Sequence, residues 1–174
     1  MALAKENHWY ALFVATGEED RVKEKISFKL RNELRPLVPK RKIRERKDGK
    51  WSYKIRLLFP GYILLNGCMD DSRYSLIRDI PGVIRLLKDS DGPLTIREEE
   101  IKVILRLTED GGEIIGTSEA YVENGAVIVT CGPLSGLEGH IRSFDKRKGR
   151  AKVLLNLLGE PRVVELSVSM VQPA

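Results

Sequence analysis

One stretch, Leu57-Leu58-Phe59-Pro60-Gly61-Tyr62-Ile63-Leu64-Leu65, limits what this chain can fold into. Its apolar run is long enough for a buried strand, yet Pro-Gly interrupts it at the middle. Proline lacks an N–H and holds φ near one value, so it does not sit inside a central strand. Glycine reaches a φ that other residues avoid. The run therefore reads as two strand pieces meeting at a bend, with Phe59 and Tyr62 fixed in direction on either side. Such a bend is either a turn closing over the core or a corner that offers apolar surface to a partner.

The residues before the bend supply a sheet and a helix. His8-Trp9-Tyr10-Ala11-Leu12-Phe13-Val14-Ala15 is a strand by residue type. Thr16 and Glu19 have the spacing of a capping box. Val22, Ile26, Leu30 and Leu34 then fall on one helical stripe, ended by Pro36 and Pro39. Between Lys40 and Lys50, seven of eleven residues are basic and two acidic, around an Asp48-Gly49 turn dipeptide. Lys40, Arg41, Lys42, Arg44, Arg46 and Lys47 are thus either a solvated loop or contacts for a nucleic-acid backbone. Trp51, Tyr53, Ile55 and Leu57 alternate with polar residues, the pattern of a half-buried strand.

Beyond the bend, Asn66-Gly67 closes a strand, and Asp70 or Asp71 caps a short helix carrying Tyr74 and Ile77. Val83–Leu87 reads as a further strand. Thr95 and Glu98 form a second capping box before a helix with Ile101, Ile104 and Leu105 on one side. The order β-α-β-β-α-β-α predicts an antiparallel sheet with helices packed on it, an α+β fold. Residues 108–119 hold three glycines and four acids and cannot bury much, which predicts a flexible linker. From residue 120 onward, β-type runs at 126–129, 139–144, 151–155 and 162–166 predict a small barrel. The expected domains are 1–107, the linker 108–119 and 120–174.

Charge follows this division. Of 30 Lys and Arg, 23 lie in the first part and seven in the last; of 25 Asp and Glu, four crowd the linker. Two basic parts around an acidic bridge suggest a polyanionic partner. Cys68 and Cys131 stand far apart without metal-ligand spacing. The first residues lack a leader-type apolar run, and no segment approaches a membrane span, so the expected setting is the cytoplasm, away from membranes. Nothing supports an enzyme or a cofactor. His8 and His140 are the only histidines, no phosphate-loop or nucleophile-elbow pattern occurs, and Glu98-Glu99-Glu100 suits a helix first turn.

Four stretches together resemble the NusG family of transcription elongation factors: Trp9-Tyr10, Phe59-Pro60-Gly61-Tyr62, Ile80-Pro81-Gly82-Val83, and Gly132-Pro133-Leu134-Ser135-Gly136-Leu137-Glu138-Gly139. The first three are similar to that family's N-terminal α/β sandwich. The last is similar to the KOW motif of its C-terminal SH3-like barrel. The resemblance implies a monomer that binds the clamp of RNA polymerase, near upstream DNA, through Tyr10, Phe59, Pro60, Tyr62, Pro81 and Val83. A ribosomal KOW protein would not explain the N-terminal part.

The barrel departs from the housekeeping pattern, in which the resemblance implies binding of ribosomal protein S10 or Rho. Six of the thirteen residues His140–Lys152 are Lys or Arg, and Leu158 replaces an aromatic residue. Arg142, Arg150 and Lys152 alternate with Ile141, Ala151 and Val153, which predicts a basic solvent face. The expected contacts to a structured leader RNA are His140, Arg142, Ser143, Lys146, Arg147, Lys148, Arg150, Lys152 and Arg162. That combination is similar to the LoaP-type antitermination members of the family.

Overall fold

A computed structural model describes residues 7–31, 33–109 and 112–172. The chain divides into two compact units, Met1–Val38 with Phe59–Ile101, and Pro39–Leu58 with Lys102–Ala174. The basic segment from residue 39 to 58 thus groups with the C-terminal residues. The α+β class expected from the sequence is what the chain adopts.

In the first unit, β1 (His8–Val14) is followed by α1 (Glu19–Leu30) and β2 (Leu34–Leu37). In the second, β3 (Lys40–Lys47) and β4 (Lys50–Leu57) form a hairpin. The first unit resumes with β5 (Tyr62–Gly67), α2 (Asp71–Arg78), β6 (Val83–Leu86) and a ribbon of β7 (Lys88–Asp89) and β8 (Gly92–Pro93). Its main sheet runs β2-β5-β1-β6, antiparallel throughout. Consecutive residues of β1 and β5 are buried, Ala11 with Leu12 and Ile63 with Leu64 and Leu65, so both faces of the central strands are covered. Val22, Ile26 and Leu30 of α1 are buried as the stripe predicts.

Three local expectations are corrected here. Leu34 does not continue the helix, because Arg31 leaves it at φ +48° and Leu34–Leu37 becomes an edge strand. An edge tolerates Pro36, which has no N–H to offer a neighbour. The Thr16–Glu19 capping box is absent: the N-cap is Glu18, with no side-chain cap bond. The second box is likewise displaced. α3 (Glu98–Leu107) starts later, the N–H of Arg97 donates to Glu100 Oε1 at 3.4 Å, and Thr95 forms a bridge to Tyr10 instead. Asp70 does cap α2, accepting from the Arg73 N–H at 2.8 Å.

The second unit also contains the chain after α3. There β9 (Ile114–Ile115) is followed by β10 (Ser118–Glu123), β11 (Ala126–Cys131), β12 (Ile141–Asp145), β13 (Arg150–Leu157) and β14 (Glu160–Met170). The last five form one sheet in the order β11-β10-β14-β13-β12. β14 is long enough to pair with β13 over most of its length and with β10 at its far end, which joins the two halves of this C-terminal β domain. The linker expected to lack structure is partly ordered: Ile114 and Ile115 pair in parallel with Lys40 and Arg41, and Ile115 is buried. Two adjacent β-branched residues suit a strand even between glycines. Asp110 and Gly111 lie outside the described residues. Among the described residues no helix is long and apolar enough to cross a membrane, and no group of acids, cysteines and histidines could hold a metal ion.

Candidate nucleic-acid interface

The tip of the β12–β13 hairpin presents the most concentrated accessible charge in the C-terminal β domain. Asp145 organises it: its carbonyl accepts from the Gly149 N–H at 2.9 Å, and its carboxylate accepts from the Lys148 N–H at 2.9 Å. An aspartate satisfying backbone donors two or three residues ahead is a standard way to hold a turn. Lys146, Arg147 and Lys148 are all exposed on it. Ser143 stands opposite Lys152 in the ladder, and both are exposed. A depression of about 420 Å³ opens there, lined by Lys146, Lys148, Arg150 and Lys152 together with Asp145 and Glu165.

The other residues expected at this site are held differently from the tip lysines. Arg150 is tied into the fold, donating to Glu165 Oε2 at 2.8 Å and to the Arg44 carbonyl at 2.6 Å. Arg142 sits where the ladder register shifts, so it leaves the alternation with Arg150 and Lys152 and donates to the Gly139 carbonyl at 2.8 Å. His140 lies on a 3-10 turn, its Nδ1 at 3.1 Å from the Leu154 carbonyl. Arg162 pairs across from Leu155, five residues along β13 from Arg150 and therefore roughly 17 Å away. Of the nine residues, Ser143, Lys146, Arg147, Lys148, Arg150 and Lys152 lie on the tip half of the hairpin, Arg142 adjoins Ser143 at the register shift, and His140 and Arg162 lie farther along the sheet.

The β3–β4 hairpin is the second basic feature of this unit. Asp48 and Gly49 take φ +52° and +77°, the two-residue turn that the sequence predicts. Lys40 is ion-paired with Glu113 at 3.4 Å, and Arg41 donates to the Glu165 carbonyl at 2.6 Å. Burial pulls the Arg41 guanidinium pKa down, an effect that the Glu165 carboxylate partly offsets. These two residues are structural ties. Lys42, Arg46 and Lys47 are exposed and Arg44 is half-buried, which leaves them available to a ligand. Arg56 grips Glu45 with two hydrogen bonds of 2.6 and 2.7 Å. Those bonds hold the Glu45 carboxyl below the usual carboxylate range.

β4 is not the half-buried strand its alternation suggests. Trp51, Tyr53 and Ile55 are 36%, 49% and 46% exposed, so this face lacks an apolar cover. The opposing residues in β3 are Arg46, Arg44 and Lys42. In sequence terms, that basic partner strand across an Asp-Gly turn was the available sign that the face is wet.

In the first unit, two Pro-Gly turns meet at the end of β1. The Tyr62 N–H donates to the Phe59 carbonyl at 3.2 Å, and the Val83 N–H to the Ile80 carbonyl at 3.1 Å. Gly61 and Gly82 have φ of +86° and +99°, as the third position of a type II turn requires. Their carbonyls accept from Val14 and Ala15, each at 2.8 Å, which sets the turns side by side. Glu19 braces the first one from below. Its carboxylate is buried and accepts from the Gly61 N–H at 2.8 Å and the Gly17 N–H at 2.9 Å.

Pro60 and Pro81 are exposed; Tyr62 and Val83 are half-buried, with Tyr62 packed edge-on against Phe13 at 5.5 Å between ring centroids. Tyr10 and Phe59 are corrected: both are buried, and strand alternation puts Tyr10 on the face of β1 opposite Phe13. They support this surface from within the core. Phe13, packed on Tyr62 and opposite the exposed Arg85 in β6, belongs to it although the sequence reading does not single it out; the available signal is its adjacency to the two turns.

The model of the family described as "Transcription termination factor nusG" matches residues 7–105. This chain belongs to the NusG family. A relative in Rickettsia prowazekii named "Transcription termination/antitermination protein NusG" is 31% identical over 170 residues, covering 94% of this chain and 88% of its own. An Escherichia coli relative of the same name is 29% identical and covers the whole of both chains. A solved structure described as "Domain interaction in Thermotoga maritima NusG" is similar with a TM-score of 0.61 at 26% identity, covering 93% of this chain and 94% of that one. The NusG-family assignment and the α+β arrangement therefore agree.

Proposed function

We propose that this NusG-family protein is a transcription elongation and processive antitermination factor of the LoaP type. It holds the clamp of RNA polymerase through the paired Pro-Gly turns, with Pro60, Tyr62, Pro81 and Val83 as contacts. Apolar side chains on a rigid corner lose little entropy on binding, which favours them as anchors. Through the β12–β13 tip it binds a structured leader RNA, and the bound polymerase then passes pause and terminator sites. It acts by binding as a monomer in the cytoplasm, without a cofactor. Residues 1–107 and 120–174 carry the two activities, joined by 108–119, with upstream DNA in reach of Lys42, Arg46 and Lys47.

The observation that carries the RNA assignment is the tip itself, where Lys146, Arg147 and Lys148 are all exposed around a turn held by Asp145. A narrow β-ribbon tipped with cations can follow phosphates into an RNA groove that bulges or non-canonical pairs have widened. The second reading is a general NusG-type factor whose barrel binds ribosomal protein S10 or Rho. Val163, 59% exposed on β14, favours a protein contact there. Single-round transcription through a terminator separates the two. The proposal expects read-through to rise only when the leader encodes its RNA hairpin. Equal read-through with and without that hairpin, together with binding to S10 or Rho, supports the general reading.

A further inference from the structure

The outward face of the β3–β4 hairpin combines two features that phosphate contact alone leaves unexplained. Opposed residues of an antiparallel pair project to the same side. The register therefore groups Lys42, Arg44 and Arg46 with Ile55, Tyr53 and Trp51. Within this group the Lys42 ammonium lies 4.9 Å from the centre of the Tyr53 ring, and the Arg44 guanidinium 4.6 Å from that of Trp51. Both rings still keep a third to a half of their surface in solvent. Glu45 projects to the other side, where it is held by Arg56. The face is therefore cationic and aromatic at once.

We infer that this face is a second nucleic-acid site, which stacks unpaired bases of a single strand on Trp51 and Tyr53 while Lys42, Arg44 and Arg46 hold its phosphates. Every base has a π face and every nucleotide a negative charge, and this surface offers partners for both. An acidic peptide would meet the cations but leave the ring faces without a matching group. A duplex would meet the cations while keeping its bases stacked on each other. This site uses none of the leader-RNA residues; it deepens the DNA contact proposed above for Lys42 and Arg46 and rests on that reading only in naming an unpaired strand as the ligand.

The test titrates the full-length protein with oligothymidylate and oligouridylate of about 12 nucleotides. A duplex of the same length and a glutamate-rich peptide serve as comparisons, all at one salt concentration. Quenching is read on Trp51 in a Trp9→Phe background, and the affinity of every variant is read by the fluorescence anisotropy of end-labelled oligonucleotides, because the chain has no third tryptophan to report. The expected result is quenching by both single strands and binding about tenfold tighter than to duplex. Trp51→Ala and Tyr53→Ala each weaken single-strand binding by roughly tenfold, and Trp51→Phe restores most of it. A preference between the two oligonucleotides identifies DNA or RNA as the strand and supports the site either way. Replacing Lys146, Arg147 and Lys148 leaves this binding in place, which separates it from the barrel tip. Equal affinity for duplex with no effect of either alanine overturns the inference, as does quenching by the peptide alone.

Discussion

Glu19 links two parts of the first unit that lie 42 positions apart in sequence. Its buried carboxylate takes the N–H groups of Gly17 and Gly61, so one side chain fixes both the entry to α1 and the first Pro-Gly turn. Leaving the buried Gly61 N–H without its acceptor costs about 1–3 kcal/mol, whereas the exposed Gly17 N–H can turn to water. Glu19→Ala is expected to lower stability by that amount and Glu19→Gln by less. Urea unfolding followed on Trp9 in a Trp51→Phe background measures it. The sequence held half of this relation. Thr16 and Glu19 have capping-box spacing, but which N–H groups the carboxylate would accept depends on Gly61, a tertiary neighbour that no local pattern encodes.

At the scale of the element, the β3–β4 hairpin is the most informative. Its turn, ends and basic strand were legible, because Asp48-Gly49 and strand alternation are local signals. Which face would be buried was not legible: alternation states that two faces differ, and only packing decides which one is covered. A similar limit hid β10 and β9, whose short β-type runs sit beside glycines and acids that mask them. The Arg56–Glu45 pair gives this element a pH signature. Because the hydrogen bonds from Arg56 depress the folded-state pKa of Glu45, their stabilisation is present above the ordinary glutamate value near 4.3 and fades as pH falls through the lower folded value. The pair lies at the surface, so its effect on global stability is small. Arg56→Gln is expected to return the Glu45 titration, followed by NMR, to the ordinary carboxylate range.

For the whole molecule, a single division of labour connects the observations. The first unit displays a rigid apolar corner with little charge, and the second displays cations on two hairpins. Two different surface chemistries in one chain suit two different partners, one a protein and one a polyanion. The family and the α+β class were legible in four short motifs and their order. The membership of the basic cluster was not, since the register shift at Arg142 and the ties on Arg150 arise only once the strands have paired.

The most direct test of this account is the salt dependence with which the full-length protein binds an RNA hairpin selected from a random pool, compared with a variant in which Lys146, Arg147 and Lys148 are all replaced by alanine. Each phosphate contact contributes about 0.7–0.9 to the slope of log affinity against log salt. The variant is expected to bind more weakly, with a slope shallower by about two to three. An unchanged slope and affinity in the variant, or a protein that selects no folded RNA, would contradict it.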